Sequence, residues 1–208
     1  MPGPSLTTDA IILMKRPAAD AFQTFTAFSP SHGALRVIQR IPAKPTPPHV
    51  TLDLFDEVAL LLEGAPQGDA WFVKEPRLLA RHTSIGRNYD SLVRASAFAT
   101  LVVRNPVPEE SRASVYTLLH TAFAAFATDA PSDIVYLKCL YSFARDEGYP
   151  VKQHWLASLV PALHAVATRL LHTPLSGLAA TDYAKADSEK LLRQLEHYLR
   201  SHTEIILD

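Results

Sequence analysis

Alternating hydrophobic and polar positions run through residues 9–80, where short apolar stretches are separated by turn-forming residues. A period of two is typical of strands that bury one side. The cluster Ser29-Pro30-Ser31-His32-Gly33 predicts a hairpin turn between two of these stretches. Five strands in about 75 residues suit a small closed barrel, of which the OB-fold is a common form. The strands are predicted at 10–14, 22–28, 35–40, 52–62 and 71–79.

From residue 83 onward the apolar positions recur every three or four residues, which predicts helices. Pro108 before two glutamates favours a helix start, Gly148 favours a helix end, and Pro161 forces a kink or a break. The predicted fold class is α+β, with an N-terminal five-stranded OB-fold β-barrel at 1–82 and an all-α helical domain at 83–208. The helices are predicted at 89–103, 112–128, 134–147, 155–171 and 181–207.

The overall charge of the chain is close to neutral. Its 208 residues include 20 Lys and Arg against 21 Asp and Glu. A dedicated DNA-binding domain usually has a basic excess, so this total does not by itself indicate DNA binding. Cys139 is the only cysteine, which excludes an internal disulfide and a cysteine-rich zinc site and favours a reducing compartment. Without a recognisable signal peptide or an apolar run of about 20 residues, we expect a cytoplasmic protein with no membrane partner.

The sequence lacks the common catalytic signatures. It has no phosphate-binding loop, Gly-rich dinucleotide turn, nucleophile elbow or zinc-protease helix motif. Cys139 lies among apolar neighbours, which is typical of a buried structural thiol rather than a nucleophile. The nine histidines are not spaced as metal ligands. We therefore expect a protein that is not an enzyme, with no catalytic residues, metal or cofactor. A hydrolase assembled from distant residues is the alternative.

The basic residues are concentrated near the N-terminus. Residues 1–50 contain five basic and two acidic residues, whereas residues 51–82 contain three basic and six acidic ones. Arg36 and Arg40 are four positions apart and should project from the same side of one strand. Clustered cations bind phosphates because counterion release favours association, so we expect weak, salt-sensitive DNA binding. The candidate DNA-binding residues are Lys15, Arg16, Arg36, Arg40, Lys44 and Trp71.

Aromatic side chains in the same region could stack on bases. Phe22, Phe25, Phe28 and Trp71 are the candidates. The pattern favours the barrel core for Phe25 and Phe28, whereas core packing and base stacking suit Trp71 about equally. For Arg36 and Arg40, an ordinary solvated strand face is as good an interpretation as a DNA contact.

Several motifs follow one another in an order that is typical of one protein family. They are the apolar strand at Ile11-Ile12-Leu13, the stretch Phe25-Thr26-Ala27-Phe28-Ser29, the stretch His32-Gly33-Ala34-Leu35-Arg36, the strand start Leu52-Asp53-Leu54-Phe55, the helix that ends in Gly148-Tyr149, and a closing helix with Leu191-Leu192. Together they span nearly the whole chain. In this order the sequence resembles the RecO family of bacterial recombination mediators.

The resemblance implies a function in recombinational DNA repair, in the bacterial cytoplasm and associated with the nucleoid. Such a protein would bind single- and double-stranded DNA, anneal strands, and act with single-strand binding protein and RecR to help load RecA. Two departures affect this picture. The segment 150–181 has no cysteine where many members carry a zinc module, and 41–48 has four prolines and one lysine where the family commonly has a basic loop. A diverged RecO-like scaffold that keeps protein contacts but has lost DNA binding is therefore the alternative.

A second candidate surface lies on the predicted helix that ends at Gly148-Tyr149. Lys138, Ser142 and Arg145 share one face, opposite an apolar stripe formed by Leu137, Tyr141 and Ala144. A basic face beside apolar side chains suits an acidic peptide with an aromatic end. The resemblance implies that this partner is the C-terminal tail of single-strand binding protein. A solvated helix face is an equally good interpretation.

Overall fold

A computed structural model of the chain describes residues 3–42, 50–65, 68–175 and 184–207. Lys44, most of the proline-rich segment and the predicted start of the last helix at residue 181 lie outside these ranges. The described residues form an α+β fold with a five-stranded sheet followed by helices, as predicted. The strands are β1 (Ser5–Lys15), β2 (Phe22–Ser29), β3 (Gly33–Arg40), β4 (Glu57–Gly64) and β5 (Ala70–Ala80). The helices are α1 (Tyr89–Arg104), α2 (Arg112–Phe126), α3 (Ser132–Asp146), α4 (Pro161–His172) and α5 (Lys185–His202).

The chain divides into two compact units. The first comprises Met1–His82 and Pro106–His120, and the second comprises Thr83–Asn105 and Thr121–Asp208. The division after His82 falls where the sequence placed the domain boundary. The grouping of residues 106–120 with the strands was not predicted. Within the first unit, this segment contacts the β2–β3 hairpin, because Arg112 Nη1 donates to the Ser31 carbonyl at 3.1 Å.

The five strands of the first unit close into a barrel in the order β1-β2-β3-β5-β4. All neighbouring pairs are antiparallel except β3 and β5, which are parallel. The β2–β3 hairpin pairs Ser29 with Gly33, whose φ of +68° is a conformation that glycine adopts without strain. Inward-facing apolar side chains fill the interior: Ala10, Ile12, Phe25, Ala27, Leu35, Val37, Leu52, Val58, Leu60 and Leu62.

The strand predicted at 52–62 begins later than expected. Residues before Glu57 form a turn in which the Asp53 N–H donates to Asp56 Oδ2 at 2.8 Å, and Phe55 takes a left-handed φ of +64°. A bulky residue rarely takes a left-handed φ, and this conformation is not extended. The strand therefore cannot include Phe55 and begins after it. Leu52 is nevertheless fully buried, because the turn inserts it into the barrel core. The apolar run therefore reflects burial and not one continuous strand.

The second unit is built around α3, which packs against α1 and α5. Leu137, Tyr141 and Ala144 are buried, as the predicted apolar stripe requires, but burial extends to most other sides of α3 and leaves Lys138 and Ser142 only half-buried rather than solvated. Cys139 is buried here, as predicted. Pro161 breaks the predicted 155–171 helix and starts α4. The last helix ends at His202 and not at 207, and Ile206 N–H instead donates to Asn105 Oδ1 at 2.8 Å.

None of the helices in the described ranges is long and apolar enough to cross a membrane.

Candidate nucleic-acid interface

The strand register brings Arg36 and Arg40 to the same outward side of β3. Burial alternates strictly along this strand, so that Leu35 and Val37 point into the barrel while Ala34, Arg36 and Arg40 are exposed. This alternation is the period-two geometry on which the prediction rested, and it is confirmed.

Neighbouring strands add further side chains to the same side. Arg36 pairs with Thr26 and Arg40 pairs with Phe22 on β2. Ile38 lies between Thr24 of β2 and Phe72 of β5. Arg16 follows β1, and its N–H donates to the Thr24 carbonyl at 3.0 Å, which places Arg16 beside Thr24. We call this surface the arginine face; its members are Arg16, Phe22, Thr24, Thr26, Arg36, Ile38, Arg40 and Phe72.

Two phenyl rings meet on the arginine face. The Phe22 and Phe72 ring centroids are 6.4 Å apart and the rings are inclined at 66°, an edge-to-face arrangement. Phe22 is 42% exposed, which is unusual for so large an apolar side chain. Phe72 is half-buried, so Phe22 is the more accessible ring of the two. An accessible aromatic ring near guanidinium groups suits single-stranded nucleic acid, because bases stack on the ring and phosphates bind the cations.

The cations of this face are only partly neutralised. Arg36 Nη2 contacts Asp69 Oδ1 at 2.6 Å, but the Asp69 side chain is 83% exposed, so the pair is highly solvated and weak. Among the residues that the structure describes, neither Arg16 nor Arg40 forms an ion pair. The face therefore keeps an unbalanced positive charge although the whole chain does not.

Lys15 and Trp71 are not members of the arginine face. Lys15 pairs in register with the inward-facing Phe25, and its ammonium forms an ion pair with Asp53 Oδ1 at 3.0 Å. Trp71 pairs with Val37 and packs against the barrel core. Its neighbour Phe72 takes the outward position instead. Phe25 and Phe28 are buried, as predicted.

A second charged region of the same unit, which we call the acidic corner, has its cations paired. It is centred on Asp53, Asp56 and Glu57. Asp56 is fully buried and accepts two hydrogen bonds from Arg81, from Nε at 2.8 Å and from Nη2 at 2.6 Å. The hydrogen bond to Asp56 raises the pKa of the Arg81 guanidinium, which outweighs the effect of its partial burial.

Glu57 completes the acidic corner with two histidines. His82 Nε2 lies 3.0 Å and His120 Nδ1 2.9 Å from the same atom, Glu57 Oε1. Burial raises the pKa of the nearby Tyr116 hydroxyl, and the charges of Asp9 and Glu57 add to this effect. Within the described ranges, no three or more His, Cys, Asp or Glu side chains are grouped so as to hold a metal ion. The corner acts as a set of internal hydrogen bonds within the first unit.

The candidate partner surface on α3 has a different structure from the one predicted. Lys138, Ser142 and Arg145 do occupy a strip that is less buried than the rest of the helix. However, Lys138 Nζ donates to the carbonyls of Leu170, Leu171 and Thr173 at 2.7, 3.2 and 2.7 Å. It therefore caps the C-terminus of α4, where a cation is favourable. Burial lowers the pKa of Lys138, and its ammonium hydrogens are committed to these carbonyls rather than directed at a partner.

Arg145 and Ser142 retain more freedom than Lys138. Arg145 is exposed and its guanidinium contacts the adjacent Asp146 at 2.8 Å, while Ser142 is half-buried. The strip thus offers one exposed guanidinium that is already partnered by its neighbour in sequence. It lacks the set of available cations that an acidic peptide would require.

No protein-family model matches this sequence, and a comparison with curated proteins finds no match either.

Proposed function

We propose that this chain binds single-stranded nucleic acid through the arginine face and acts as a RecO-like mediator of recombinational DNA repair. The observation that carries the proposal is the exposure of Arg16, Phe22 and Arg40 on one side of the barrel, where the half-buried Phe72 ring packs against Phe22. Guanidinium groups bind phosphates, and exposed rings stack on unpaired bases. Double-stranded DNA would use the cations but not the rings.

The strand order supports an OB-fold for the barrel. A closed order β1-β2-β3-β5-β4, with β3 and β5 parallel, is consistent with the five-stranded Greek-key barrel that defines this fold. OB-folds bind oligonucleotides on the face of strands 2 and 3. The arginine face is built mainly on those two strands.

The wider function follows from the family resemblance. The protein would anneal complementary strands and cooperate with single-strand binding protein and RecR in loading RecA, in the bacterial cytoplasm and without catalysing a reaction. Because Lys138 is engaged within the second unit and Arg145 contacts Asp146, any contact with the tail of single-strand binding protein would need cations outside this strip of α3.

A direct test is the binding of labelled single-stranded DNA over a salt series, followed by fluorescence anisotropy. Arg36→Ala combined with Arg40→Ala should weaken binding and lower the slope of log K against log salt by about 1.4, or about 0.7 for each lost phosphate contact. Arg77→Ala is the matched control, because Arg77 is exposed on β5 beside Ala59, in the β1–β4–β5 part of the barrel. Unchanged affinity and slope in the double variant would contradict the proposed surface.

The second candidate is a diverged RecO-like scaffold that keeps protein contacts without DNA. The net charge of −1 favours it, since little long-range attraction for a polyanion remains. The same titration separates the two functions. Wild-type protein that fails to bind DNA even at low salt would overturn the first proposal and leave the scaffold.

A further inference from the structure

We propose that a pocket in the second unit binds a carboxylate carried on a compact apolar group, a property that is independent of the proposed DNA binding. The pocket, which we call the α5 pocket, lies between the segment 155–160 and α5 and has a volume of about 400 Å³. This is within the range of small-molecule sites, about 300–1,000 Å³. Its lining residues are Trp155, Ser158, Leu159, Val160, Lys190, Arg193, Gln194, His197, Tyr198 and His202.

The lining separates into an apolar wall and a basic rim. Trp155, Leu159 and Val160 contribute the wall, and Val160 is 58% exposed, so apolar surface is open to solvent. Lys190, Arg193 and His197 follow one another at helical spacing along α5 and form the rim. Among the residues that the structure describes, none that lines the pocket is a carboxylate. A ligand that complements this lining carries a negative charge at one end and an apolar group at the other.

The rim cations are available to such a ligand. Arg193 Nη1 lies 3.8 Å from Glu189 Oε2, one turn earlier on α5, and the Arg193 side chain is 69% exposed. A solvated contact at that distance stabilises little, so a ligand carboxylate can replace it. Arginine is well suited to this exchange because its planar guanidinium can donate two parallel hydrogen bonds to one carboxylate.

Trp155 is the most buried residue of the apolar wall. Its indole is 2% exposed, yet its Nε1–H has no acceptor among the described residues. A buried donor without a partner is unfavourable, and such donors are rare in folded proteins. Trp155 also lies in a π-helical turn, Lys152–Leu156, a local geometry that is frequent at functional sites. The ring contacts Tyr141 with centroids 6.0 Å apart, which holds the wall in place.

The size and charge of the site favour a small monocarboxylate over other anions. A nucleic acid would require a chain of cations along an open groove, whereas this rim is short and adjoins an apolar wall. A strongly hydrated inorganic anion would gain nothing from Trp155, Leu159 and Val160. A carboxylate on an aliphatic group uses both halves of the lining. It could be a free acid or the C-terminal residue of a peptide, and the test below distinguishes these sources.

The test measures ligand binding through the fluorescence of Trp155, which lines the pocket. The chain has two tryptophans, so Trp71→Phe leaves Trp155 as the only one. We expect octanoate to change Trp155 fluorescence saturably, with a Kd on the order of 0.1–1 mM for a ligand of this size. Octanamide, which has the same shape without the charge, should bind at least about tenfold more weakly. Calorimetry on the wild-type chain checks that the Trp71 substitution has no effect on binding.

Variants and a second ligand pair complete the experiment. Lys190→Ala with Arg193→Ala should weaken octanoate about tenfold and leave octanamide unchanged, while Lys185→Ala, which is exposed on α5 away from the pocket, should change neither. N-acetyl-leucine and its amide represent a peptide end, and tighter binding of that acid than of octanoate would assign the pocket to a chain terminus. Equal binding of acids and amides, or no saturable signal from either acid up to about ten times the expected Kd, would overturn the proposal.

Discussion

The arginine face and the acidic corner belong to the same barrel unit, and both contain basic side chains, but their cations are used differently. At the acidic corner, Arg81 is fixed by two hydrogen bonds to a carboxylate that is fully buried. On the arginine face, Arg16 and Arg40 have no carboxylate partner among the described residues, and Arg36 has only an exposed one. The cations of the barrel unit therefore divide into structural cations and available cations.

This difference shows that a count of basic residues does not predict a binding surface. The near-neutral net charge argues against nucleic acid only if every cation is equally accessible. A carboxylate that is buried with its partner, such as Asp56, is included in the net charge of the chain. It neutralises a cation inside the fold, however, and not one on the binding surface. The charge that an external ligand meets is set by the pairing in the structure. The following predictions test the division between the two regions.

The largest expected effect is on stability and lies at the acidic corner. Arg81→Ala should lower the free energy of unfolding by about 2–4 kcal/mol, because it leaves the Asp56 carboxylate buried without its main partner. Arg40→Ala, which removes a cation of the arginine face, should change it by no more than about 0.5 kcal/mol. Urea unfolding of the two variants measures the contrast. Adding Asp56→Asn to Arg81→Ala should recover part of the loss, since the unpaired charge is removed. Similar losses of unfolding free energy for Arg81→Ala and Arg40→Ala would refute the distinction between structural and available cations.

The next effect concerns DNA affinity and the outward position of Phe72. Phe72→Ala should reduce the affinity for single-stranded DNA by about 1–3 kcal/mol, the usual value of one base–aromatic stack, without changing the salt slope. Trp71→Phe should leave affinity unchanged, because Trp71 packs against the barrel core. Leu79→Ala is a matched control, as Leu79 is an exposed apolar residue of the same strand. If Trp71→Phe weakens DNA binding and Phe72→Ala does not, then Trp71, the residue predicted from the sequence, is the aromatic side chain that contacts DNA.

Local periodicity was sufficient to predict much of the first unit. The side shared by Arg36 and Arg40 follows from the period of two in β3, and the core positions of Phe25 and Phe28 follow from their place in an apolar strand. The choice between Trp71 and Phe72 could not be made in this way. Their strand β5 pairs with β4 through an irregular register between Leu61 and Leu62, and its burial does not alternate regularly. A register shift changes which side chains face outward.

Contacts between residues distant in sequence account for the other differences. The spacing of Lys138, Ser142 and Arg145 does identify the least buried strip of α3. It contains no information about the carbonyls at the end of α4 that accept hydrogen bonds from Lys138, because those acceptors come from a later helix. The pocket beside α5 was missed for the same reason. Lys190, Arg193 and His197 read as an ordinary polar helix face until Trp155 is placed next to them.

The smallest expected effect is a pH dependence of the Lys15–Asp53 ion pair. Partial burial alone would raise the pKa of Asp53, but hydrogen bonds from Lys15 and the Leu54 N–H, with the charges of Lys15 and Arg81, lower it below its ordinary value of 3.8. A carboxyl whose pKa is lower in the folded state contributes stability above its unfolded pKa and loses it as the pH falls through the folded pKa. Lys15→Ala should therefore destabilise the protein at neutral pH. The loss should be below about 1 kcal/mol, since the Asp53 side chain is 60% exposed.

The measurement is the difference in unfolding free energy between the wild type and Lys15→Ala, by urea titration from neutral pH to about pH 3. The difference should shrink as the pH falls below 3.8 and should also shrink in high salt, because both conditions remove the charge interaction. Arg77→Ala provides the comparison, since Arg77 has no ion pair among the described residues and its effect should not follow the titration of Asp53. A Lys15→Ala loss that is constant with pH would show that the lysine acts through the packing of its aliphatic chain, and Lys15 would then no longer count among the paired cations of the acidic corner.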